Sequence, residues 1–292
     1  MQHWLDHPVE EMDYRKAVRR LSWWEITIAA DLPRDFEDVP NLADRLRGAL
    51  GRALHRQAAR PETGWLARVP TPYEMLFGEA FTCAGKVVPR PFVIAAECGK
   101  GKLTAKLRLA GIAGSSVEPV CEALQEALER GIAIRHGGRL RVALTAQSAT
   151  MAFHRGFSLP ATGNHLSIRL LTPLVVRHGS RASGSLASLP HSMFRRLQGL
   201  ARWDGFSVKE PEINFKDHLN CLDTTLEGFS ASNERRHSSE HGSNGMPVRG
   251  FTGIWRIAGN IEPLAPLFAA AAAFHAGGET ALGFGRMEVL RY

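Results

Sequence analysis

The chain has 292 residues, of which 44% are hydrophobic, and this share is large enough to form cores and argues against wholesale disorder. Lys and Arg together number 36 against 29 Asp and Glu, which gives a formal net charge of +7. Such a balance is compatible with nucleic-acid binding, although an ordinary basic protein carries it about as often. The length is too great for one small core and suits two domains.

The cysteine spacing and the apolar runs indicate the cellular compartment that we expect for the protein. Cys83, Cys98, Cys121 and Cys221 show no C-x-x-C spacing, so we expect small core residues of a reduced protein. The N-terminal stretch MQHWLDHPVEEMDYRKAVRRL carries acids and histidines throughout, unlike a signal peptide. The most apolar run, LAPLFAAAAAF, has about half of the ~20 residues that span a bilayer. We therefore expect a soluble cytoplasmic protein with no membrane partner.

The first half of the chain reads as six elements. SWWEITIAA (22–30) is a strand-like run, and NLADRLRGALGRALHRQ (41–57) has apolar residues at helical spacing. Two strands follow at 91–97 and 103–112, with a Gly-Lys-Gly turn at 99–101 between them. SVEPVCEALQEALERGI is a second helix that Gly131 ends, and RLRVALTA (139–146) alternates like a strand. The order is βαββαβ, which is the ferredoxin-like unit.

The second half repeats this order. A strand at 164–176 and a helix at 190–203 come first, followed by a strand pair, DTTLEGFSA and FTGIWRIAG (251–259), around a long polar connection. PLAPLFAAAAAFHA is a helix and RMEVLRY a closing strand. We therefore predict an α+β protein of two tandem ferredoxin-like domains. The expected boundaries are an extension at 1–20, a first domain at 21–150, a linker at 151–163 and a second domain at 164–292.

A glycine-rich stretch near the C-terminus carries a family resemblance. FHAGGETALGFGR resembles the HxGxxTxxGxG loop of the CRISPR-associated repeat-RNA processing endoribonucleases of the RAMP superfamily, here with Gly278 where the family often has Lys. Four further stretches resemble segments of that family in the same order: LRGALGRAL (46–54), PYEMLFG (72–78), LLTPLVVRHGS (170–180) and RRHSSEHGSNGMPVRGFTGIW (235–255).

The resemblance implies that the glycine-rich loop braces RNA. The residues expected to contact it are His275, Gly277, Gly283, Gly285 and Arg286. Glycines let backbone N–H groups approach phosphates closely, but a plain helix-to-strand turn that needs positive φ would use them too. A nucleotide-binding loop is excluded, because no G-K-[ST] follows the glycines.

The chemistry that the family implies is RNA transesterification without a metal. The ribose 2′-OH attacks the adjacent phosphate and leaves a 2′,3′-cyclic phosphate and a 5′-OH. Histidine suits the proton transfers at neutral pH, and arginine suits the charge on the phosphorane. The position of the family's histidine in this helix is Arg52, and His55 lies one turn further on. We predict a catalytic cluster of Arg52 and His55 that Arg45 or Arg47 supports; the alternative is a solvated basic helix face.

Two other basic stretches are predicted to bind RNA. The loop at 233–244 offers Arg235, Arg236, His237, Ser238 and Ser239 to phosphate and sugar oxygens. Its His237 and His241 are spaced like metal ligands on a helix, but the neighbouring Ser, Gly and Asn favour a loop, so we expect no metal. Arg195 and Arg196 lie on a predicted helix that could hold a repeat hairpin by its phosphates, or form an ordinary solvated face.

The sequence thus predicts a metal-independent endoribonuclease that cuts precursor CRISPR RNA within the repeat hairpin. The resemblance implies that it keeps the crRNA bound for an effector complex, with other Cas subunits as partners and no cofactor. The alternative is a non-catalytic RAMP subunit that binds and caps the crRNA, and Arg52 in place of histidine keeps it open. A ferredoxin-like metabolic enzyme is a remoter alternative, against which the absence of nucleotide, metal and nucleophile signatures counts.

Overall fold

The computed structural model describes residues 1–33, 42–58, 70–135, 139–159, 163–178, 181–182, 186–236 and 246–290. The helices are α1 (Gln2–Asp6), α2 (Tyr14–Arg20), α3 (Leu42–Ala58), α4 (Pro72–Leu76), α5 (Val117–Glu129), α6 (Leu189–Trp203), α7 (Phe215–Asn220) and α8 (Ala265–Phe274). The strands are β1 (Glu10–Met12), β2 (Ser22–Asp31), β3 (Thr82–Cys83), β4 (Lys86–Val87), β5 (Phe92–Gly99), β6 (Lys102–Ala110), β7 (Ile132–Arg135), β8 (Arg139–Val142), β9 (Ala146–Arg155), β10 (His165–Leu174), β11 (Arg177–His178), β12 (Arg181–Ala182), β13 (Phe206–Val208), β14 (Asp223–Arg236), β15 (Met246–Ala258) and β16 (Met287–Leu290).

The chain forms two compact units, and each unit consists of three separate stretches of the chain. The first unit consists of Met1–Pro8, Ser22–His154 and Arg202–Gly205. The second consists of Val9–Leu21, Arg155–Ala201 and Phe206–Tyr292.

In the first unit, four strands form a sheet in the order β5–β6–β2–β9. β6 pairs antiparallel with both β5 and β2. The turn from β5 to β6 consists of Lys100 and Gly101, with φ angles of 52° and 71°, and two positive φ angles define a type I′ turn. Because α3 follows β2 and α5 follows β6, the chain order is βαββαβ, as predicted.

The core of the first unit explains how α3 is held. α3 packs against α5 and β5, and α5 packs against β2. Leu46, Leu50 and Leu54 recur at intervals of four along α3 and are buried, which contributes roughly 1.5–3 kcal/mol for each side chain. This apolar stripe fixes the rotation of the helix, so its polar side chains are held in set directions.

The predicted fourth strand of the first unit was wrong. Residues 139–142 form β8, which pairs with β7 in a separate hairpin, and the sheet strand is β9 at 146–155. β9 extends to Arg155, into the stretch that the sequence analysis assigned to a linker. The sequence misled because β9 lies at a sheet edge, where most of its side chains are exposed and show no apolar alternation.

The second unit has the same strand order. β14, β15, β10 and β16 form a sheet in which β10 lies between β15 and β16 and pairs antiparallel with both. α6 follows β10 and α8 follows β15, so the βαββαβ order is repeated. The predicted α+β fold of two ferredoxin-like modules is confirmed. A separate parallel pair joins Glu10–Met12 of β1 to Phe206–Val208 of β13.

The burial of side chains differs from the prediction at one cysteine and agrees with the apolar character of α8. Cys121 is buried as expected, whereas Cys221 is exposed. α8 is apolar around its whole circumference, and Leu267 and Phe268 are fully buried, as expected of a helix enclosed by a core. None of the helices among the described residues is long and apolar enough to cross a bilayer.

Candidate active site

α3 positions all four predicted catalytic residues, but it directs them toward two different neighbours. Its buried stripe of leucines leaves the basic side chains on the remaining surface. His55 and Arg56 lie in its last turn, where the negative end of the helix dipole stabilises cations.

One neighbour is the aromatic face of α4. The imidazole of His55 lies edge-on to the ring of Tyr73, with centroids 5.0 Å apart and planes at 76°. Tyr73 stacks on Phe77 at 6.0 Å, and the guanidinium of Arg47 lies 5.1 Å from the Phe77 ring centroid. Gly51 allows this approach, since a Cβ there would lie 3.1 Å from the Phe77 ring. His55 is therefore exposed on one side and oriented by Tyr73 on the other.

Tyr73 was not among the site residues predicted from the sequence. It lies in the quoted PYEMLFG stretch, four residues before Phe77 on a short helix. Thr71 and Glu74 form a capping box at the start of that helix, and Pro72 occupies its first turn. Both features stabilise the N-terminus of α4 although the helix is short. The spacing of two aromatics at i and i+4 was the signal that could have revealed this face.

The other neighbour is the region of α5, β7 and β8. Arg45 donates a hydrogen bond to the backbone carbonyl of Ala133. Arg52 lines a cavity with Arg56, Arg130 and Arg141. Burial lowers the pKa of Arg52, and the charges of Arg141 and Arg56 lower it further. The structure thus places His55 and Arg47 on the α4 side, and Arg45 and Arg52 on the α5 side.

The glycines of the C-terminal loop are required by close backbone packing in the second unit. Gly277 and Gly285 have φ angles of 74° and 68°. A Cβ on Gly277 would lie 2.3 Å from the carbonyl oxygen of Val175, and one on Gly285 would lie 1.8 Å from that of Ala276. Neither contact is possible for a residue with a side chain, so the loop needs glycine whether or not a ligand binds.

Several amides of this loop already donate hydrogen bonds within the unit. Gly278 donates to the carbonyl of Val175 at 2.8 Å, Gly283 to that of Thr280 at 3.1 Å, and Gly285 to that of Pro173 at 2.9 Å. The amide of Arg286 donates to the hydroxyl of Thr172 at 2.9 Å. His275 is buried at the end of α8 with a φ of 60°. The helix-to-strand turn that needs positive φ therefore accounts for these glycines.

The two arginines of α6 are also engaged within the second unit. Arg195 forms an ion pair with Glu210 at 2.6 Å and a hydrogen bond with Gln198 at 2.8 Å. The Nε of Arg196 donates to the carbonyl of Phe274 at 2.7 Å, and burial lowers the pKa of Arg196 to about 9. Any RNA contact by these side chains has to share or replace these partners.

The remaining predicted contacts lie at or beyond the end of β14. Arg235 and Arg236 are its last residues, where their backbones are paired with Pro247 and Met246. His237, Ser238 and Ser239 lie outside the described residues. Within the described ranges, no group of three or more His, Cys, Asp or Glu side chains is arranged to hold a metal ion.

Comparison with protein families decides the assignment. The family model of the CRISPR-associated endoribonuclease Cas6 matches residues 168–287. These residues match the Cas6 family. The match includes the glycine-rich loop and the strand at 170–174, so the resemblance inferred from the motifs is confirmed.

Solved Cas6 structures share the fold over nearly the whole chain. The Cas6 of Thermus thermophilus is 15% identical with a TM-score of 0.56, covering 92% of this chain and 99% of that one. A Cas6 product complex is 17% identical with a TM-score of 0.54, covering 92% and 100% of the two chains. A Cas6 substrate-mimic complex is 16% identical with a TM-score of 0.52, covering 92% and 99%. No curated protein matches the sequence.

Proposed function

We propose that this Cas6-family chain is an endoribonuclease that cleaves precursor CRISPR RNA within its repeat hairpin, in the cytoplasm and without a metal. The family match supports an enzyme that processes CRISPR RNA. Product and substrate-mimic complexes among the solved Cas6 structures support repeat RNA as the ligand. After the cut, the crRNA stays bound and is handed to an effector complex with other Cas subunits.

The observation that carries the proposal is the exposed His55 on α3. Its imidazole is held by Tyr73 on one side, and Arg52 lies one helical turn away on the same helix. A residue that transfers protons must be accessible and oriented, and His55 has both properties. The other three predicted catalytic side chains are arginines, and histidine is the residue type suited to proton transfer at neutral pH.

The residues divide the reaction as follows. Neutral His55 takes the proton of the 2′-OH, and the 2′-oxygen attacks the adjacent phosphorus. The bond from phosphorus to the 5′-oxygen breaks, and the imidazolium returns its proton to that oxygen, giving a 2′,3′-cyclic phosphate and a 5′-OH. Arg52 stabilises the charge on the phosphorane, with Arg45 and Arg47 supporting it from the two sides of the helix. Tyr73 is a positioning residue that fixes the imidazole.

RNA contacts in the second unit complete the proposal. Phosphates of the hairpin would be bound by Arg195, Arg196, Arg235 and Arg236, together with His237, Ser238 and Ser239 of the segment that follows β14. The glycine-rich loop, His275 to Arg286, would brace the RNA mainly through its shape, because several of its amides already have protein acceptors.

The experiment uses the purified protein with the repeat RNA of its own array in EDTA. A deoxy substitution at the scissile 2′ position serves as the control, and products are separated on a denaturing gel. Cleavage in EDTA that the deoxy substitution blocks supports the proposal. Cleavage of the deoxy substrate would show that another nucleophile attacks, and activity that needs an added metal would refute the metal-free mechanism.

The second candidate is a RAMP subunit that binds and caps the crRNA without cutting it. Arg52 at the position of the family's histidine is the observation that favours it. Tight, hairpin-specific binding with no product in the same experiment would establish this function instead.

A further inference from the structure

A cavity lined by four arginines lies beside α3 in the first unit. Arg52 and Arg56 come from α3, Arg130 follows α5, and Arg141 lies on β8. The cavity has a volume of about 200 Å³. No motif in the sequence pointed to Arg56, Arg130 or Arg141 as a group, because three separate elements bring them together.

The glycine that ends α5 allows Arg141 to reach this cavity. Gly131 has a φ of 90°, and a Cβ there would lie 3.1 Å from the Cβ of Arg141 and from the backbone of Val142. β8 therefore approaches the end of α5 more closely than most side chains at position 131 would permit. The lining of the cavity depends on this approach.

The charges in the lining are only partly balanced. Glu126 binds two of the arginines, at 3.0 Å from Nη2 of Arg56 and 2.7 Å from Nε of Arg130. Within the described ranges, no carboxylate forms an ion pair with Arg52 or Arg141. The C-terminal end of α5 adds only about half a negative charge, so an excess of roughly two to three positive charges remains.

The excess charge also acts on the arginines themselves. After burial, the charges of Arg141 and Arg56 are the causes that lower the pKa of Arg52. A bound anion would relieve this repulsion. Guanidinium forks match phosphate oxygens in geometry as well as in charge.

We propose that Arg56, Arg130 and Arg141 of this cavity bind one phosphate group of the RNA backbone, next to the phosphate that Arg52 serves in cleavage. The inference rests on the proposed function, since Arg52 lies one turn from His55 and a strand bound along α3 would pass both. A volume of about 200 Å³ holds a phosphate group with a few waters, because one water takes ~30 Å³. The same chemistry would also accept free phosphate, so the experiment separates the two sources.

The test combines two titrations on wild type and on Arg141→Gln, with Arg155→Gln as the matched control. Arg155 is exposed and lies outside the cavity, so its change removes the same charge elsewhere. Binding of inorganic phosphate is followed by calorimetry at low salt, and binding of the repeat RNA is followed at several salt concentrations. We expect Arg141→Gln to weaken the binding of both ligands at least five-fold. It should also reduce the slope of log K for RNA binding against log salt concentration by about 0.7–0.9. Arg155→Gln should change phosphate binding less than two-fold.

The outcomes distinguish an RNA phosphate from free phosphate as the ligand of the cavity, and they also test whether the cavity binds either. Weaker RNA binding with the reduced slope, restored in slope by Arg141→Lys, supports the proposal. Phosphate binding that depends on Arg141 while RNA binding does not would assign the cavity to free phosphate and overturn the proposal. Absence of both effects in a variant with an unchanged thermal transition refutes the site altogether. If wild type binds no RNA, the proposed function fails, and the phosphate titration still reports on the cavity separately.

Discussion

The two units have the same strand order but use the basic residues of their first helix differently. In the first unit, α3 presents an exposed His55 and an Arg52 with no carboxylate partner among the described residues. In the second unit, α6 directs Arg195 to Glu210 and Arg196 to the carbonyl of Phe274. The first helix of one module leaves His55 and Arg52 accessible to a ligand, whereas that of the other uses Arg195 and Arg196 to hold its own structure.

The two units also differ in a loop of the second unit and a cavity of the first. The glycine-rich loop of the second unit has several of its amides bound to protein carbonyls, whereas α3 lies beside a cavity with excess positive charge. A repeated fold therefore does not repeat a site. Chemistry is expected where polar groups lack internal partners, and rigidity is expected where they have them.

Removal of the imidazole from α3 should have the largest effect on function. His55→Ala should lower the single-turnover rate of RNA cleavage by about 10²–10⁴-fold, because it removes the general base, and should leave RNA affinity within about three-fold. His165→Ala on β10 of the second unit removes an exposed histidine and is the matched control. Equal rates for wild type and His55→Ala would move the active site away from α3.

The second prediction concerns the glycine-rich loop. Gly285→Ala should lower the free energy of unfolding by about 3 kcal/mol, because the new Cβ meets the carbonyl of Ala276 at a positive φ. The measurement is denaturant unfolding. Gly163→Ala is the control, since a Cβ there meets no atom within 4 Å. If Gly285→Ala is as stable as wild type and only loses RNA, the loop is built for the ligand and not for packing.

The third prediction compares a cross-strand ion pair in each unit. Glu25 and Arg108 pair at 2.6 Å with side chains 18% and 25% exposed, whereas Glu227 and Arg256 pair at 2.7 Å with side chains 47% and 43% exposed. We expect Glu25→Gln to cost about 2 kcal/mol of stability at pH 7 and Glu227→Gln less than about 1 kcal/mol. Chemical unfolding of both variants measures the difference.

The pH dependence of the same pair has a definite sign. Burial alone would raise the pKa of Glu25, but the hydrogen bond and charge of Arg108 outweigh it and hold the pKa below its usual value. The stabilisation is therefore present above the ordinary pKa of a glutamate and is lost as the pH falls through the lowered one. Stability curves of wild type and Glu25→Gln should converge in acid; curves that stay parallel would show that the pair does not titrate with folding.

The smallest expected effect compares arginines of the two helices. Arg52→Gln should weaken RNA binding about ten-fold, because no carboxylate among the described residues pairs with its guanidinium. Arg195→Gln should weaken it only about two- to three-fold, because Arg195 must share Glu210 with the RNA. Fluorescence anisotropy at fixed salt measures both. The reverse order would show that the second unit supplies the main phosphate contacts.

The sequence predicted the parts of the fold that have a strong period. α3 and β6 were found because their apolar residues recur at fixed spacing and are buried. β9 was missed because an exposed edge strand has no such period. The alternating residues at 139–142, which were assigned to the fourth strand of the sheet, form β8 of the β7–β8 hairpin instead.

The site was less predictable than the fold. Spacing placed Arg52 and His55 on one broad helix face, but only packing shows that Tyr73 orients one and that Arg141 and Arg130 surround the other. These neighbours are distant along the chain, and a helical period carries no information about them. The glycine pattern marked a turn correctly, although the atoms that make glycine necessary, the carbonyls of Val175 and Ala276, leave no trace in the pattern itself.

The pairing of β1 with β13 has a consequence for how the chain is made. Glu10 lies opposite Phe206, so the second unit cannot complete this strand pair until almost 200 further residues have left the ribosome. At synthesis rates of about 5–20 residues per second, the N-terminal segment waits for roughly 10–40 s. During that interval the first unit can assemble its sheet around β2, while residues 9–21 remain tethered to it without their final partner. A chaperone that acts early would therefore meet this segment first.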